Sequence, residues 1–211
     1  MNESPNQNWG HLQRVGGRLC LDFINTVNRE SDGYSEDWLT SYSALVAWGQ
    51  HAQILSQQQA TQLLELAANQ PDLADAVFKD AIVLRETLYR LFSAVAANRD
   101  LQNHDLEVLN TALKEALAWR KIGSTDDGFA WSWSDSSDHL GCILWRVVCS
   151  AADLLTAEKL SRVRECSGEG CGWIFLDTSR NRSRRWCDME TCGNRAKARR
   201  YYKRSSTKGA I

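Results

Sequence analysis

The sequence predicts a mainly α chain in two parts: a helical domain over residues 1–160 with one short β element, then a small module over 161–211 that ends in a basic helix. Three observations carry this. Apolar residues recur at three- and four-residue spacing through most of the first part. Four of the seven cysteines fall after Leu160, in two pairs. Charge is also divided. From Arg162 onward there are thirteen Lys and Arg against five Asp and Glu, a net of +8, whereas the remainder carries −9, so the whole chain sums to −1. A division of this kind points to a polyanion as the partner of the basic part.

The elements follow in order. "RLCLDFINTVN" places Leu19, Phe23 and Val27 at one helical spacing, with Asp22 and Asn25 on another face, and "TSYSALVAWGQ" adds a turn or two of helix. Ser56 and Gln59 form a capping-box pattern before a helix with Ala60, Leu63, Leu64 and Ala67 on one face. Asn69, Gln70 and Pro71 stop it, and Asp72 caps the next, whose stripe is Val77, Ala81, Leu84, Leu88, Leu91 and Val95. A further helix runs from about Asp105 to Trp119, with Leu106, Leu109, Leu113 and Leu117 inward; "GSTDDG" ends the pattern and "FAWSWS" alternates as a short strand. "LGCILWRVVCSAADLLTAEKL" is apolar nearly all round, which suits a central helix.

The opening "MNESPNQNWGHLQRVGG" is polar, without the apolar core of a signal peptide, and no stretch has the length of a membrane span. A cytoplasmic protein with no membrane association is expected. The four histidines, at 11, 51, 104 and 139, stand in no catalytic motif, so no enzymatic activity is expected.

Cys20, Cys142 and Cys149 lie inside apolar helical patterns and read as small core residues. Cys166-x4-Cys171 and Cys187-x4-Cys192 differ, because each pair ends in Cys-Gly, as "CSGEGCG" and "CDMETCG". Two tight turns that each offer two thiolates complete a tetrahedral four-sulfur site, the closed arrangement of structural zinc. Four cysteines also suit iron, and disulfides are the alternative in an oxidising compartment. The short symmetric loops favour one structural Zn²⁺. Glycines after Cys171 and Cys192 suit the positive φ of such turns.

Between the pairs, Arg180, Arg182, Arg184 and Arg185 follow a turn at Asp177–Ser179; on an extended limb, Arg180, Arg182 and Arg184 face one way. Asn194 is placed to cap a helix through "RAKARRYYKR", in which Arg195, Arg199 and Lys203 form one ridge. An anionic zinc–thiolate centre or a bound phosphate offsets the cost of cations in that first turn. Tyr201 and Tyr202 are expected to pack on the finger rather than stack on bases.

The run from Cys166 through "CGWIFLDTSRNRSRRWCDMETCGNRAKARR" resembles the CGNR zinc finger, named for the tetrapeptide at Cys192, Gly193, Asn194 and Arg195. "LCLDFINTVN", with Asp22, Asn25 and Thr26 as polar positions, resembles the opening of the helical ABATE domain that precedes this finger in bacterial proteins described as stress-induced transcription regulators. The resemblance implies zinc at Cys166, Cys171, Cys187 and Cys192 and a nucleic-acid role for the surrounding cations.

The expected function is that of a zinc-dependent transcription regulator that binds nucleic acid, DNA ahead of RNA. Arg180, Arg182, Arg184, Arg185, Arg199, Arg200, Lys203 and Arg204 would contact phosphates, and Asn194 and Arg195 bases. The acidic domain would form a homodimer, sense a small-molecule effector, or both. Asp22, Asn25 and Arg146, polar groups on apolar helices, are the candidate effector-binding residues. In the alternative, the chain binds small molecules or proteins and its finger is purely structural.

Overall fold

A computed structural model describes residues 12–30, 33–134 and 139–208. The chain is mainly α, and among the described residues it has three two-stranded antiparallel ladders and a cysteine cluster before the last helix.

Its body is built from α3 (Gln57–Asn69), α4 (Pro71–Ala96), α5 (Asn103–Ala118) and α6 (Cys142–Leu155). Ser56 and Gln59 close the capping box reciprocally: Ser56 Oγ accepts from the Gln59 amide at 3.2 Å, and Gln59 Oε1 from the Ser56 amide at 2.9 Å. Pro71 opens α4, where a missing N–H costs nothing, so Asp72 lies in the first turn rather than at the cap. Ala81, Leu84, Leu88 and Leu91 of the α4 stripe are buried, and α6 buries residues on nearly every side, as its composition requires. Leu64 and Leu117 differ from expectation, at 42% and 48% exposed. Each flanks the narrow stripe that its helix buries, through Ala60 and Leu63 on α3 and Leu109 and Ala116 on α5.

Three other segments depart from the sequence reading. Helix α1 holds only Leu19–Ile24, because Val27 enters strand β1 (Val27–Glu30), which pairs with β2 (Gly33–Asp37). The β-branched pair Thr26 and Val27 suits that change, and the Thr26 hydroxyl, donating to Phe23 O at 2.7 Å, closes the turn. Helix α2 spans Tyr42–His51, longer than expected. "FAWSWS" forms most of β4 (Gly128–Trp133), but its partner β3 (Arg120–Thr125) had no strand pattern of its own. The base of this hairpin is held by aromatic packing, with Trp119 stacked on Trp145 at 4.9 Å and Trp133 on Trp145 at 6.0 Å.

Strands β5 (Val163–Glu165) and β6 (Ile174–Leu176) carry the cysteine module, yet Val163, Ile174 and Leu176 lie in the same apolar core as α1, α4 and α6. In the β5–β6 ladder, Glu165 faces Ile174 as a pair whose amide and carbonyl groups point outward. Asn25, 2% exposed, fills that edge: its Nδ2 donates to Ile174 O at 2.9 Å and its Oδ1 accepts from Ile174 N at 3.0 Å. Two residues on, Leu176 N donates to Gly16 O at 2.8 Å. A side-chain amide and one carbonyl from the start of the chain thus act as a third strand. Nearby, Arg85, 1% exposed, is bidentate to Asp37 at 2.7 Å and also donates to Glu86, which Arg29 pairs from the other side. Every charge in this network has a partner, as burial demands.

Candidate metal centre and basic surface

Hairpin β5–β6 brings Cys166 and Cys171 to one side of the cluster, and the turn before α7 (Asn194–Lys208) brings Cys187 and Cys192 to the other. All four sulfurs lie within 4.8 Å of one another, with Cys171 to Cys187 at 3.6 Å and Cys187 to Cys192 at 3.7 Å. Four Zn–S bonds in a tetrahedron put sulfurs about 3.8 Å apart, so the donor set fits one structural zinc with no open position for chemistry.

The backbone is shaped to this cluster. The amides of Gly168 and Cys187 donate to Cys166 Sγ at 3.3 and 3.2 Å, the outer hydrogen bonds that thiolate ligands take. A Cβ on Gly168 would fall 3.0 Å from Cys192 Sγ and 3.3 Å from Cys166 Sγ, so a larger residue would press on two ligands. Gly172 has φ +62° as expected, whereas Gly193 does not adopt a positive φ. Gly193 closes a π-type turn over Met189–Gly193, where a side chain would meet Met189 Sδ at 2.7 Å.

With the sulfurs this close, their protonation is mutual. Hydrogen bonds from Cys171 and Cys187, reinforced by the two amides, hold the Cys166 thiol down at about 2, while that bond and burial push Cys171 up to about 12. Cys187 is raised as well, with its bonds to Cys166 and Cys171 as the leading causes. Without a cation the cluster cannot ionise fully; a divalent ion stabilises all four thiolates together.

Asp177, fully buried, organises the arginine loop. It accepts from Ser179 N at 2.9 Å, Ser179 Oγ at 2.6 Å and Arg184 N at 3.1 Å. Burial alone would raise its carboxyl, but these bonds outweigh it and leave it below the usual carboxylate range. The limb is therefore a turn, not extended, and Arg182 sits at φ 51°. Arg180, Arg182 and Arg185 are exposed, but Arg184 turns inward. Its guanidinium lies over the Phe175 ring at 4.3 Å and donates to Trp186 O at 3.0 Å, Val15 O at 3.1 Å and Cys187 O. Expected as a phosphate contact, it instead cross-links the finger to the start of the chain.

The last helix also differs. Asp188 caps the turn that leads into it, its carboxylate accepting from Thr191 N at 2.7 Å, and Asn194 is not placed as a cap. Asn194 already has helical dihedrals, and its side chain donates back to Glu190 O at 2.9 Å. Tyr201 and Tyr202 meet edge-to-face and stay 69% and 70% exposed rather than being buried against the finger. Arg195, Arg199, Arg200 and Lys203 line a groove of about 250 Å³ whose opposite wall is the first metal turn, Ser167–Glu169. Glu169 pairs with Arg199 across it. Arg204 lies on α7 with its side chain outside the described residues.

Residues 17–158 match the ABATE family, described as "putative stress-induced transcription regulator", and residues 162–205 match the CGNR zinc finger. The chain belongs to the ABATE family. No curated protein matches it. Among the described residues, no helix of this ABATE chain is long and apolar enough to cross a membrane.

Within the ABATE portion, the three candidate effector residues are not brought to one site. Asp22 Oδ1 accepts from Gly16 N at 2.8 Å, and burial pushes its carboxyl up to about 6 against the pull of that amide and of Arg14. Asn25 serves Ile174, while Arg146 lies over the Trp133 ring at 5.6 Å. Asp22 and Asn25 support the seam between the two parts of the chain. Sequence reasoning missed this role because their partners carry no motif. It also missed Ser167–Glu169 as a groove wall, since nothing local marks a metal turn as facing the helix after it.

Proposed function

We propose that this ABATE chain is a cytoplasmic, zinc-dependent regulator that binds DNA through the CGNR finger, and assign it no catalytic chemistry. One observation carries the reading: four cations of α7 share a groove at the metal centre, and three exposed arginines stand on the adjoining loop. The groove holds a single acid, Glu169, against Arg195, Arg199, Arg200 and Lys203. Arg180, Arg182 and Arg185 extend the positive surface, and Asn194 and Arg195 begin the helix where base contacts would fall. Arg184 is a structural member of the finger and contacts no nucleic acid. The acidic N-terminal part serves sensing, homodimerisation or both.

The test is binding of the zinc-loaded chain to random duplex DNA over a salt series. Phosphate contacts from Arg199, Arg200 and Lys203 of the groove and Arg180, Arg182 and Arg185 of the loop give a slope of log K against log salt of up to roughly −5.4. Arg195→Ala/Arg200→Ala should reduce that slope and weaken binding without altering the melt. No binding at low salt, or a slope untouched by this variant, overturns the proposal. Stronger binding to single-stranded RNA than to the duplex would reassign the partner.

A further inference from the structure

Helix α5 presents Glu107, Val108, Thr111, Ala112 and Glu115 as one stripe, which with α4 and α6 encloses a cavity of about 420 Å³. That volume lies in the range of small-molecule sites, roughly 300–1,000 Å³. The floor is apolar and firm: Leu84, Trp145 and Val148 are buried, and Trp145 is locked by its stack on Trp119. Among the described residues no Lys or Arg lines the cavity; its titratable groups are Asp80, Glu107 and Glu115 with His104 and His139. Among the described residues none of these three carboxylates belongs to an ion pair.

The carboxylates are spaced, not clustered. Glu107 and Glu115 are eight residues apart on one helix, so about 12 Å separates them along its axis. Helices α4 and α5 join through a short loop and run antiparallel, with Arg90 paired to Asp105 near the loop end. Counting outward from that pair puts Asp80 level with Glu115. One end of the cavity therefore has two carboxylates, and the other has Glu107. Glu115 is also steered, accepting from Trp145 Nε1 at 3.5 Å. A single metal ion cannot bridge this span, and the only group of side chains placed to hold one among the described residues is the cysteine cluster.

We infer that this cavity binds a linear aliphatic polyamine, with one terminal ammonium between Asp80 and Glu115, the other at Glu107, and the alkyl body on Leu84, Leu144 and Val148. Charge and shape both select it: the ends need cations about 12 Å apart, and the span between them is apolar along Leu84, Leu144 and Val148 but lined by Thr111 on its other side, where an inner ammonium keeps a hydroxyl and water. The site is independent of the finger and of any nucleic acid.

The experiment is isothermal titration of the full zinc-loaded chain with spermidine, with n-hexylamine and magnesium chloride as comparators. One spermidine per chain is expected, bound about tenfold or more tighter than the monoamine, since its second end gains charge-assisted hydrogen bonds. Glu107→Gln should cost about tenfold for the same reason. Thr111→Arg, at an exposed position between the two glutamates, sets a fixed cation on the stripe and should abolish binding. Melting curves confirm that both variants fold. Absence of heat, uptake of several spermidines that magnesium displaces equally, or affinity indifferent to both substitutions overturns the inference.

Discussion

Asn25→Ala removes a side chain that satisfies two main-chain groups of a different segment. In the native chain the Ile174 N–H and C=O face the outer edge of the β5–β6 ladder and are met only by the Asn25 amide, at 3.0 and 2.9 Å. The site is closed, with Asn25 at 2% and Ile174 at 0% exposure, so water does not replace the lost partner without opening the core. Each orphaned buried group costs about 1–3 kcal/mol, so the pair costs about 2–6 kcal/mol. For a chain of this size that lowers the melting temperature by roughly 4–24 °C. Urea and thermal unfolding of the zinc-loaded chain, followed by circular dichroism, measure it. Asn25→Asp sharpens the test. It keeps an acceptor for the Ile174 amide but turns a carboxylate oxygen on the Ile174 carbonyl, so it should be at least as damaging at neutral pH and recover as acid protonates it. A loss below about 0.5 kcal/mol for Asn25→Ala would refute the idea that this amide carries the seam.

Arg184→Ala and Arg185→Ala should separate cleanly. The first strips three carbonyl oxygens of their donor and should speed zinc release to a chelator and lower the melt, whereas the second, exposed over Trp186, should leave both unchanged; equal effects would count against the inward placement. Asp22 has a folded pKa of about 6, above that of a free aspartate, so its contribution is full below pH ~4 and is lost as pH rises to about 6. Asp22→Asn keeps the acceptor for Gly16 and should gain in melting temperature on the parent above pH 6, with the difference vanishing near pH 4. Chelation of zinc should shift one cooperative transition of the whole chain, because β5 and β6 share the main core; a helical transition unmoved by the chelator would contradict this.

Periodicity and spacing made legible whatever is decided locally. The Ser56–Gln59 box, the α4 stripe, the all-round apolar α6 and the two cysteine pairs each declare themselves within a few turns of chain. The remainder depends on partners far away. Nothing near Asn25 shows that its amide completes a strand edge 149 residues later, and nothing near Arg184 shows that it reaches back 169 residues to Val15. A row of arginines looks uniformly outward until Phe175 and three carbonyl oxygens select one of them. Strand β3 was illegible for a similar reason: "RKIGST" has weak alternation and becomes a strand only opposite β4. The acidic cavity follows the same rule, since Asp80, Glu107 and Glu115 face one space only after α4 folds back on α5.

The seam at Ile174 also imposes an order in time. Gly16 and Asn25 leave the ribosome early but find their partners only when Ile174 and Leu176 have been made, among the last segments of the described chain. Contacts of such separation close slowly. Until then the helices can form but their core is open along one flank, and it is the late arrival of β6 that seals it. Metal capture by the final cysteines and closure of the body then become one event, so a chain short of zinc would be held at a stage where its apolar interior still faces solvent.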